Sequence, residues 1–146
     1  MYKKITLTQK KAIENQLYVG KIVFSAIESI AFVAADDSVY TSDTQMLVAS
    51  EALFASKQYE TLTETSGKSI WFPSGKRDFL VLDEESQVLT MGKKVVQIHT
   101  GRTLGYLFIN LDMTVMEKNL TNQLVNYYLL DEQGTVVSSV ISYRIS

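Results

Sequence analysis

Residues 88–112, VLTMGKKVVQIHTGRTLGYLFINLD, decide the fold. In the second half of this stretch every other residue is small or apolar, namely Gly105, Leu107, Ile109 and Leu111. Successive side chains of an extended chain point to opposite faces, so this spacing predicts a β-strand. The opposite face is mixed, which indicates a central strand covered on both sides; its residues are Tyr106, Phe108, Asn110 and Asp112. We therefore expect Leu107, Ile109 and, from an earlier strand, Phe32 to lie in the core.

The first half of the stretch is also apolar, but its pattern changes phase at Gly92. Leu89 and Met91 fall on one face and Val96 and Ile98 on the other. A glycine at such a change is typical of a bulge or a bend. Because only residues 99–103 separate the two apolar runs, they are predicted to form an antiparallel hairpin.

The chain before this hairpin predicts a helix, a strand pair and further helices. Apolar residues spaced three or four apart indicate an amphipathic helix within residues 5–27. A strand at 29–34 and a return strand from Val39 flank a turn that contains Asp36 and Asp37. Aspartates favour such turns, which we prefer to a metal site. Residues 43–66 predict two short helices, with Asp43 as the N-cap and Gly67 as the stop.

Composition excludes several classes of protein. The 146 residues carry 14 basic and 16 acidic side chains, a net charge of −2, and no cysteine. Nucleic-acid binding needs a concentrated positive surface, and disulfides and thiolate chemistry need cysteine. The longest apolar stretch, residues 22–35, is too short to cross a bilayer, and no signal peptide is recognisable at the start. The length suits one globular domain, or one domain plus a fragment of another.

Catalytic motifs are not recognisable in the sequence. His99 is the single histidine, and neither a nucleophile elbow nor a phosphate-binding glycine loop occurs. We therefore expect no catalytic residue, no metal site and no cofactor. The alternative of a small hydrolase requires a serine and a carboxylate to converge on His99. The single tryptophan, Trp71, precedes the single proline, Pro73, and is expected to form the wall of a pocket at the edge of an element.

Residues 30–42, 59–73 and 105–112 are three segments that together, in this order, resemble the extracellular Cache domains of bacterial sensor histidine kinases, which are PAS-like modules. Residues 59–73 resemble the family's short helix that leads through Gly-Lys to a strand opening with tryptophan. Residues 105–112 resemble its glycine-led strand ending in aspartate, and residues 30–42 its first hairpin. The sequence departs from the family at Gln58-Tyr59, where Trp-Tyr is common. The arginine of the family's amino-acid signature is not recognisable, so an amino-acid ligand is not expected.

The resemblance implies an α+β fold in which an antiparallel sheet carries a long N-terminal helix on one face and further helices over the other. Residues 1–122 would form the Cache domain. Residues 123–146 would begin a second, membrane-proximal module or supply the last strands of the same domain. The implied function is extracytoplasmic sensing by a membrane-anchored, dimeric histidine kinase, with the kinase in the cytoplasm. The alternative is an intracellular PAS-like interaction domain without a small ligand.

The resemblance also implies a ligand site between the sheet and the layer laid over it. Its expected residues are Tyr59, Trp71, Phe72, Tyr40 and Tyr106, with Arg102 at the mouth. Aromatic walls with few fixed charges suit a sugar or another neutral solute. A docked extracellular solute-binding protein is the alternative partner, and filling of the core is the alternative role for the aromatic residues.

Overall fold

The computed structural model describes residues 6–42, 47–48, 50–75, 77, 80–81, 88–115, 127–130 and 133–140. In chain order the elements are α1 (Leu7–Val23), β1 (Ile27–Ala34), β2 (Val39–Thr41), β3 (Leu47–Val48), α2 (Ser50–Phe54), α3 (Lys57–Glu64), β4 (Ile70–Gly75), β5 (Leu80–Val81), β6 (Val88–Val96), β7 (Thr103–Asp112), β8 (Tyr127–Leu130) and β9 (Val136–Val140). The predicted helix cap Asp43 and the predicted domain boundary at 122/123 lie outside the described residues.

Five antiparallel strands form the main sheet in the order β2-β1-β7-β6-β4. The hairpin predicted from residues 88–112 is β6–β7, and β7 pairs with β1 on its other side. The N-terminal helix, the first hairpin and the two short helices are also found. The predicted α+β architecture is confirmed.

The two faces of the sheet follow from the register. Ala31, Phe108 and Gly92 lie side by side on β1, β7 and β6, on what we call the cover face. Leu53 of α2 and Leu62 of α3 pack on this face with Ala31 and Phe108 in the main apolar core. The opposite face, which we call the α1 face, contacts α1 through β1 and β2.

The prediction that Leu107, Ile109 and Phe32 lie in the core on strands of one sheet is correct for the sheet, whereas their burial is only partial. Leu107, Ile109 and Phe32 do lie on neighbouring strands, but they are half-buried on the α1 face. Phe108 is fully buried on the cover face. The reason is that α1 contributes no buried residue, whereas α2 and α3 each bury a leucine against the sheet. The cover face of β7 carries both polar and apolar residues, so the sequence pattern did not indicate that this face is the more deeply buried one.

The bulge predicted at Gly92 is placed wrongly. Pairing of β6 with β7 continues through Gly92, and the register shifts between Val95 and Val96. At Gly92 a Cβ atom would come within 2.8 Å of the Leu62 side chain and 2.9 Å of the Phe72 ring. The glycine therefore makes room for the cover layer rather than bending the strand.

A capping box opens α1. The Gln9 backbone N–H donates to the Thr6 hydroxyl over 3.2 Å, and the Gln9 side-chain oxygen accepts from the Thr6 N–H over 2.9 Å. The helix rests on the sheet where Gly20 approaches Ile30. Among the described residues, no helix is both long enough and apolar enough to cross a membrane.

The C-terminal hairpin β8–β9 forms a two-stranded sheet of its own. Residues of β9 lie near β4, an edge strand of the main sheet, without pairing with it. Tyr128 and Leu130 on β8 are exposed. The hairpin is thus not an interior strand of the five-stranded sheet.

The difference between the two faces predicts different costs of truncation on β7. Phe108→Ala should lower the free energy of unfolding by about 3–5 kcal/mol, because a buried ring is lost and a cavity remains. Ile109→Ala, on the adjacent half-buried position, should cost clearly less. Urea denaturation of both variants measures the two losses. An equal or larger loss for Ile109→Ala would show that the core lies on the α1 face.

Candidate functional site

Four of the five buried polar side chains of the described residues lie together on the cover face. Five are buried: Ser29, Ser42, Arg77, Thr90 and Asn110. Four of them, Arg77, Thr90, Asn110 and Ser29, form a hydrogen-bonded chain that we call the polar row. Ser42 lies beside it, since its hydroxyl accepts from the backbone N–H of Ile30 over 2.9 Å.

Short hydrogen bonds join the members of the polar row. Arg77 Nε donates to the Thr90 hydroxyl over 2.9 Å, and that hydroxyl donates to Asn110 Oδ1 over 2.7 Å. Asn110 Nδ2 donates to the Ser29 hydroxyl over 3.0 Å. Arg77 Nη2 also donates to the carbonyl oxygens of Phe72 and Pro73, over 3.4 Å and 2.6 Å. The row therefore runs from the end of β4 across β6 and β7 to β1.

Strand register brings three members of the row together. Thr90 of β6 and Ser29 of β1 both lie opposite Asn110 of β7, and Phe72 of β4 lies opposite Thr90. Arg77 follows β4, and its side chain folds back against the Phe72 and Pro73 carbonyls in the middle of that strand. Residues directly opposite one another on a sheet are close enough to bond, so the row is a direct product of the pairing.

Arg77 gives the row its one charge. Only 7% of its surface is exposed, and burial lowers the pKa of Arg77 below its ordinary value. Among the described residues, Lys10 and Glu14 of α1 form an ion pair, with Nζ and Oε1 3.9 Å apart. Burying a guanidinium away from water is costly unless an anion or several acceptors compensate for it. The acceptors that the described residues supply are the Thr90 hydroxyl and the carbonyl oxygens of Phe72 and Pro73.

An aromatic cluster occupies another part of the cover face. Tyr59 of α3 makes edge-to-face contacts with Phe54 of α2 and Tyr106 of β7, each with ring centroids 5.2 Å apart. Burial, the nearby Asp37 carboxylate and Tyr106 together raise the pKa of Tyr59. Asp37 itself sits in the β1–β2 turn with a left-handed φ of 68°. Asp36 accepts from the Ser38 N–H, as the turn prediction requires.

The six predicted site residues do not meet in one place. Tyr59, Phe72 and Tyr106 belong to the core cluster of the cover face. Trp71 and Tyr40 point to the α1 face, because each lies one residue out of step with a cover-face position. Tyr40 is buried there in a stacked contact with Phe32, while Trp71 is 40% exposed. Arg102 lies exposed in the β6–β7 loop.

His99 lies in the same exposed loop. Loop hydrogen bonds run between Gln97, Thr100 and Arg102, and no carboxylate among the described residues bonds to the histidine. The described residues also hold no group of three or more His, Asp or Glu side chains suited to a metal. This arrangement gives no support to the hydrolase alternative.

Sequence reasoning did not identify Arg77, Thr90 or Ser29. Asn110 was the available signal, because a buried amide at an inward position of an apolar strand needs hydrogen-bond partners. To find those partners one must know how β1 and β6 are aligned with β7, and the sequence of one strand does not give its alignment with another.

Solved structures supply the comparison with known proteins. No family model matches the sequence, and no curated protein matches it. The chain is similar to the ligand-binding domain of the Campylobacter jejuni chemoreceptor Tlp3 in complex with L-norvaline. The match covers 92% of this chain and 52% of that domain, with 14% identity and a TM-score of 0.65. The ligand-binding domain of the Pseudomonas aeruginosa amino-acid chemoreceptor PctC, in complex with GABA, is also similar. The match covers 87% of this chain and 55% of that domain, with 17% identity and a TM-score of 0.61.

A third structure agrees with these two. The ligand-binding domain of the Pseudomonas fluorescens chemoreceptor CtaA with L-isoleucine matches 90% of this chain and 52% of its own, with 14% identity and a TM-score of 0.61. The chain has the fold of chemoreceptor ligand-binding domains, which confirms the predicted Cache, PAS-like architecture. It spans about half the length of the domains that it matches.

The polar row predicts that Thr90 is important for stability. Thr90→Val removes the acceptor for Arg77 and the donor for Asn110, and each buried group left unpaired costs about 1–3 kcal/mol. Urea denaturation should show a loss in that range or larger. Thr8→Val, on the exposed surface of α1, is the matched control and should change stability by less than about 0.5 kcal/mol. Equal losses would contradict the role of the row.

Tyr59 predicts a loss of stability at alkaline pH. Its pKa is raised in the folded state, so the unfolded chain ionises first as the pH rises. The contribution of Tyr59 is therefore complete below its unfolded pKa, about 10, and is lost as the pH rises through the folded pKa. Tyr59→Phe should flatten the fall in unfolding free energy that sets in as the pH rises through about 10. Asp37→Asn should flatten it partly. If the unfolding free energy of the wild type and of Tyr59→Phe falls equally with rising pH, Tyr59 does not contribute to the alkaline loss of stability.

Proposed function

We propose that this chain is an extracytoplasmic sensor domain that binds a small organic solute on the cover face of its sheet. The single observation that carries the proposal is the fold, which matches ligand-binding domains of three chemoreceptors over 87–92% of the chain. Identity is low, so fold likeness supports the class of function and leaves the ligand open. Binding rather than catalysis is the proposed activity.

The location of the polar row supports a binding role. Burying several polar side chains on one face of a sheet costs more than filling the same space with apolar ones. Such clusters are therefore common where a ligand must be oriented. Of the residues expected from the sequence, Phe72 adjoins the row and Tyr59 and Tyr106 lie on the same face. Trp71, Tyr40 and Arg102 are not part of the site we propose.

We further propose that the chain is the first of two modules. It spans about half of each matched domain, and β8–β9 is a separate sheet with exposed Tyr128 and Leu130. An apolar hairpin of this kind suits the start of a second unit that would cover it. Residues 1–122 then form the sensor module and residues 123–146 begin the membrane-proximal one.

The proposed parent is a membrane receptor, dimeric and with a cytoplasmic histidine kinase as its output. The kinase is supported by the sequence resemblance, whereas the matched structures are chemoreceptors. A sugar or a docked solute-binding protein is not favoured, because the matched complexes hold amino acids or GABA. Reading the complete gene tests the parent: membrane spans on both sides and a kinase core behind them are expected. Their absence favours the intracellular interaction domain.

A screen of the chain against amino acids, organic acids, sugars and amines tests the binding role. At a ligand concentration 100 times Kd, binding stabilises the folded state by about 2.7 kcal/mol, which raises the melting temperature measurably. At least one class of solute should produce such a rise, confirmed by calorimetric titration. Asn110→Val should abolish it, while Lys93→Ala, an exposed position on the α1 face, should leave it intact.

Two outcomes would contradict the proposal. If no solute raises the melting temperature of the folded chain, direct sensing by this module fails. If a solute binds equally well to the wild type and to Asn110→Val, but not to a variant on the α1 face, the site lies on that other face of the sheet.

A further inference from the structure

We propose that two copies of this chain meet through α1, side by side and parallel, with the two Asn15 side chains paired between them. The surface is the face of α1 that points away from the sheet, which we call the outer face. This inference rests on the dimeric receptor proposed above and names the residues that join its two copies. It involves neither the cover face nor the polar row.

Exposed apolar side chains are concentrated on α1. The helix turns Ile13, Leu17 and Gly20 toward the sheet, and these residues are only half-buried. Of the thirteen exposed large apolar residues among those that the structure describes, six lie within residues 7–24: Leu7, Tyr18, Val19, Ile22, Val23 and Phe24. A concentration of this kind marks a surface that binds another protein.

The outer face has the spacing of a helix that packs along another helix. Its central line advances in alternating steps of four and three residues and is exposed throughout: Thr8, Ala12, Asn15, Val19 and Ile22. These steps are those of the a and d positions of a coiled coil, in which a β-branched residue at an a position favours two strands. Since the sheet-facing residues lie on the opposite side of α1, a second helix can approach without displacing the sheet.

Asn15 lies at the centre of that line and gives the contact one register. An amide between two helices is satisfied when it meets the same amide of the other helix, because each supplies a donor and an acceptor. A shift by one heptad would instead set Asn15 against Ile22 or Thr8 of the second copy. A single polar residue in such a line selects the register and the number of helices, at some cost in stability.

The distribution of side chains along the outer face favours the parallel arrangement. Its C-terminal half carries the large apolar residues Tyr18, Val19 and Ile22. Its N-terminal half carries Thr8 and, at the margin, Lys11. A parallel pair sets the two apolar halves against each other, whereas an antiparallel pair would bring each lysine onto the apolar half of the other copy. Withdrawing an ammonium group from water against apolar side chains is unfavourable.

The size of the surface explains why its partner is a second copy anchored beside it. The helix α1 has 17 residues and is therefore about 25 Å long. Contact between two helices of this length buries less than the roughly 1,600 Å² of a standard interface, so free chains associate weakly. Two receptors in one membrane meet at a much higher effective concentration, which compensates for the small area.

Disulfide trapping tests the interface, because the chain has no cysteine of its own. Thr8→Cys and Ile22→Cys place one thiol near each end of the outer face. Ile98→Cys, 93% exposed in the β6–β7 loop, is the matched control. Under mild oxidation of the full chain in solution, both outer-face variants should form disulfide-linked dimers at least about tenfold faster than the control. Rates equal to that of the control overturn the interface.

A mixture of Thr8→Cys and Ile22→Cys tests the orientation. A longer affinity tag on one variant distinguishes the mixed dimer from the two like dimers on a non-reducing gel. The parallel pair joins each position to the same position of the second copy, so like dimers should predominate. Predominance of the mixed dimer would show an antiparallel pair and overturn the proposed arrangement.

Further substitutions test the central line. Val19→Glu, added to Thr8→Cys, puts a like charge on both copies and should slow trapping to the control rate. Since Val19 is exposed, the variant should keep its fold, which circular dichroism checks. Ile98→Glu in the same background is the matched control and should trap as fast as Thr8→Cys alone. Equal trapping of the two glutamate variants overturns the outer face as the interface.

Asn15→Leu tests the paired amides. The substitution removes the cost of an amide between the helices and should strengthen self-association in sedimentation velocity, with species larger than a dimer appearing. A profile identical to that of the wild type overturns the pairing of Asn15.

The same protein preparations separate this inference from the sensor function. If the outer-face variants trap no faster than Ile98→Cys while a solute still raises the melting temperature, the interface is overturned and the sensor function stands. If they trap rapidly while no solute binds, the interface stands and direct sensing by this module is overturned.

Discussion

A buried guanidinium can remain in a protein interior only while oxygen atoms surround it, and this requirement explains much of the cover face. Arg77 needs the Thr90 hydroxyl, which in turn needs Asn110, which needs Ser29. Each of these residues sits on a different strand or segment, so the hydrogen bonds tie four pieces of chain together. Buried networks of this kind specify one register, since a shift by one residue would leave every member unpaired.

Glycines set the distances at which the layers meet. At Gly105 a Cβ atom would lie 2.3 Å from the Val33 carbonyl oxygen and 2.5 Å from the Phe32 ring. No side chain fits there without moving backbone, so β1 and β7 approach as closely as they do because residue 105 is glycine. Likewise, Leu62 can pack closely on β6 because residue 92 has no side chain.

Local sequence patterns were enough to predict the strands and helices of this fold. The side chains of the polar row, in contrast, are brought together by the alignment of one strand with the next, which local patterns do not reveal. Alternation along 105–111 predicted β7, and the short link at 99–103 predicted its hairpin, because both depend on neighbouring residues alone. The alternation also places Leu107 and Ile109 in the core, but they are only half-buried, because α1 packs on their face of the sheet without burying a side chain of its own. Trp71 and Phe72 were assigned to one site although adjacent strand residues must point apart. Nothing in the sequence around Arg77 indicated that its side chain would be buried.

A connection between the site and the helical layer follows from one lysine. Lys94 of β6 donates through Nζ to the carbonyl oxygens of Thr63 and Thr65, both over 3.3 Å, at the end of α3. These are carbonyls that a helix end leaves without partners, so a cation there is stabilising. Thr90 lies on the same strand, four residues away on the same face. Lys94 therefore joins the strand that carries Thr90 directly to the end of α3. The sensor function proposed above then requires no more than two packings of nearly equal free energy, of which a bound solute favours one.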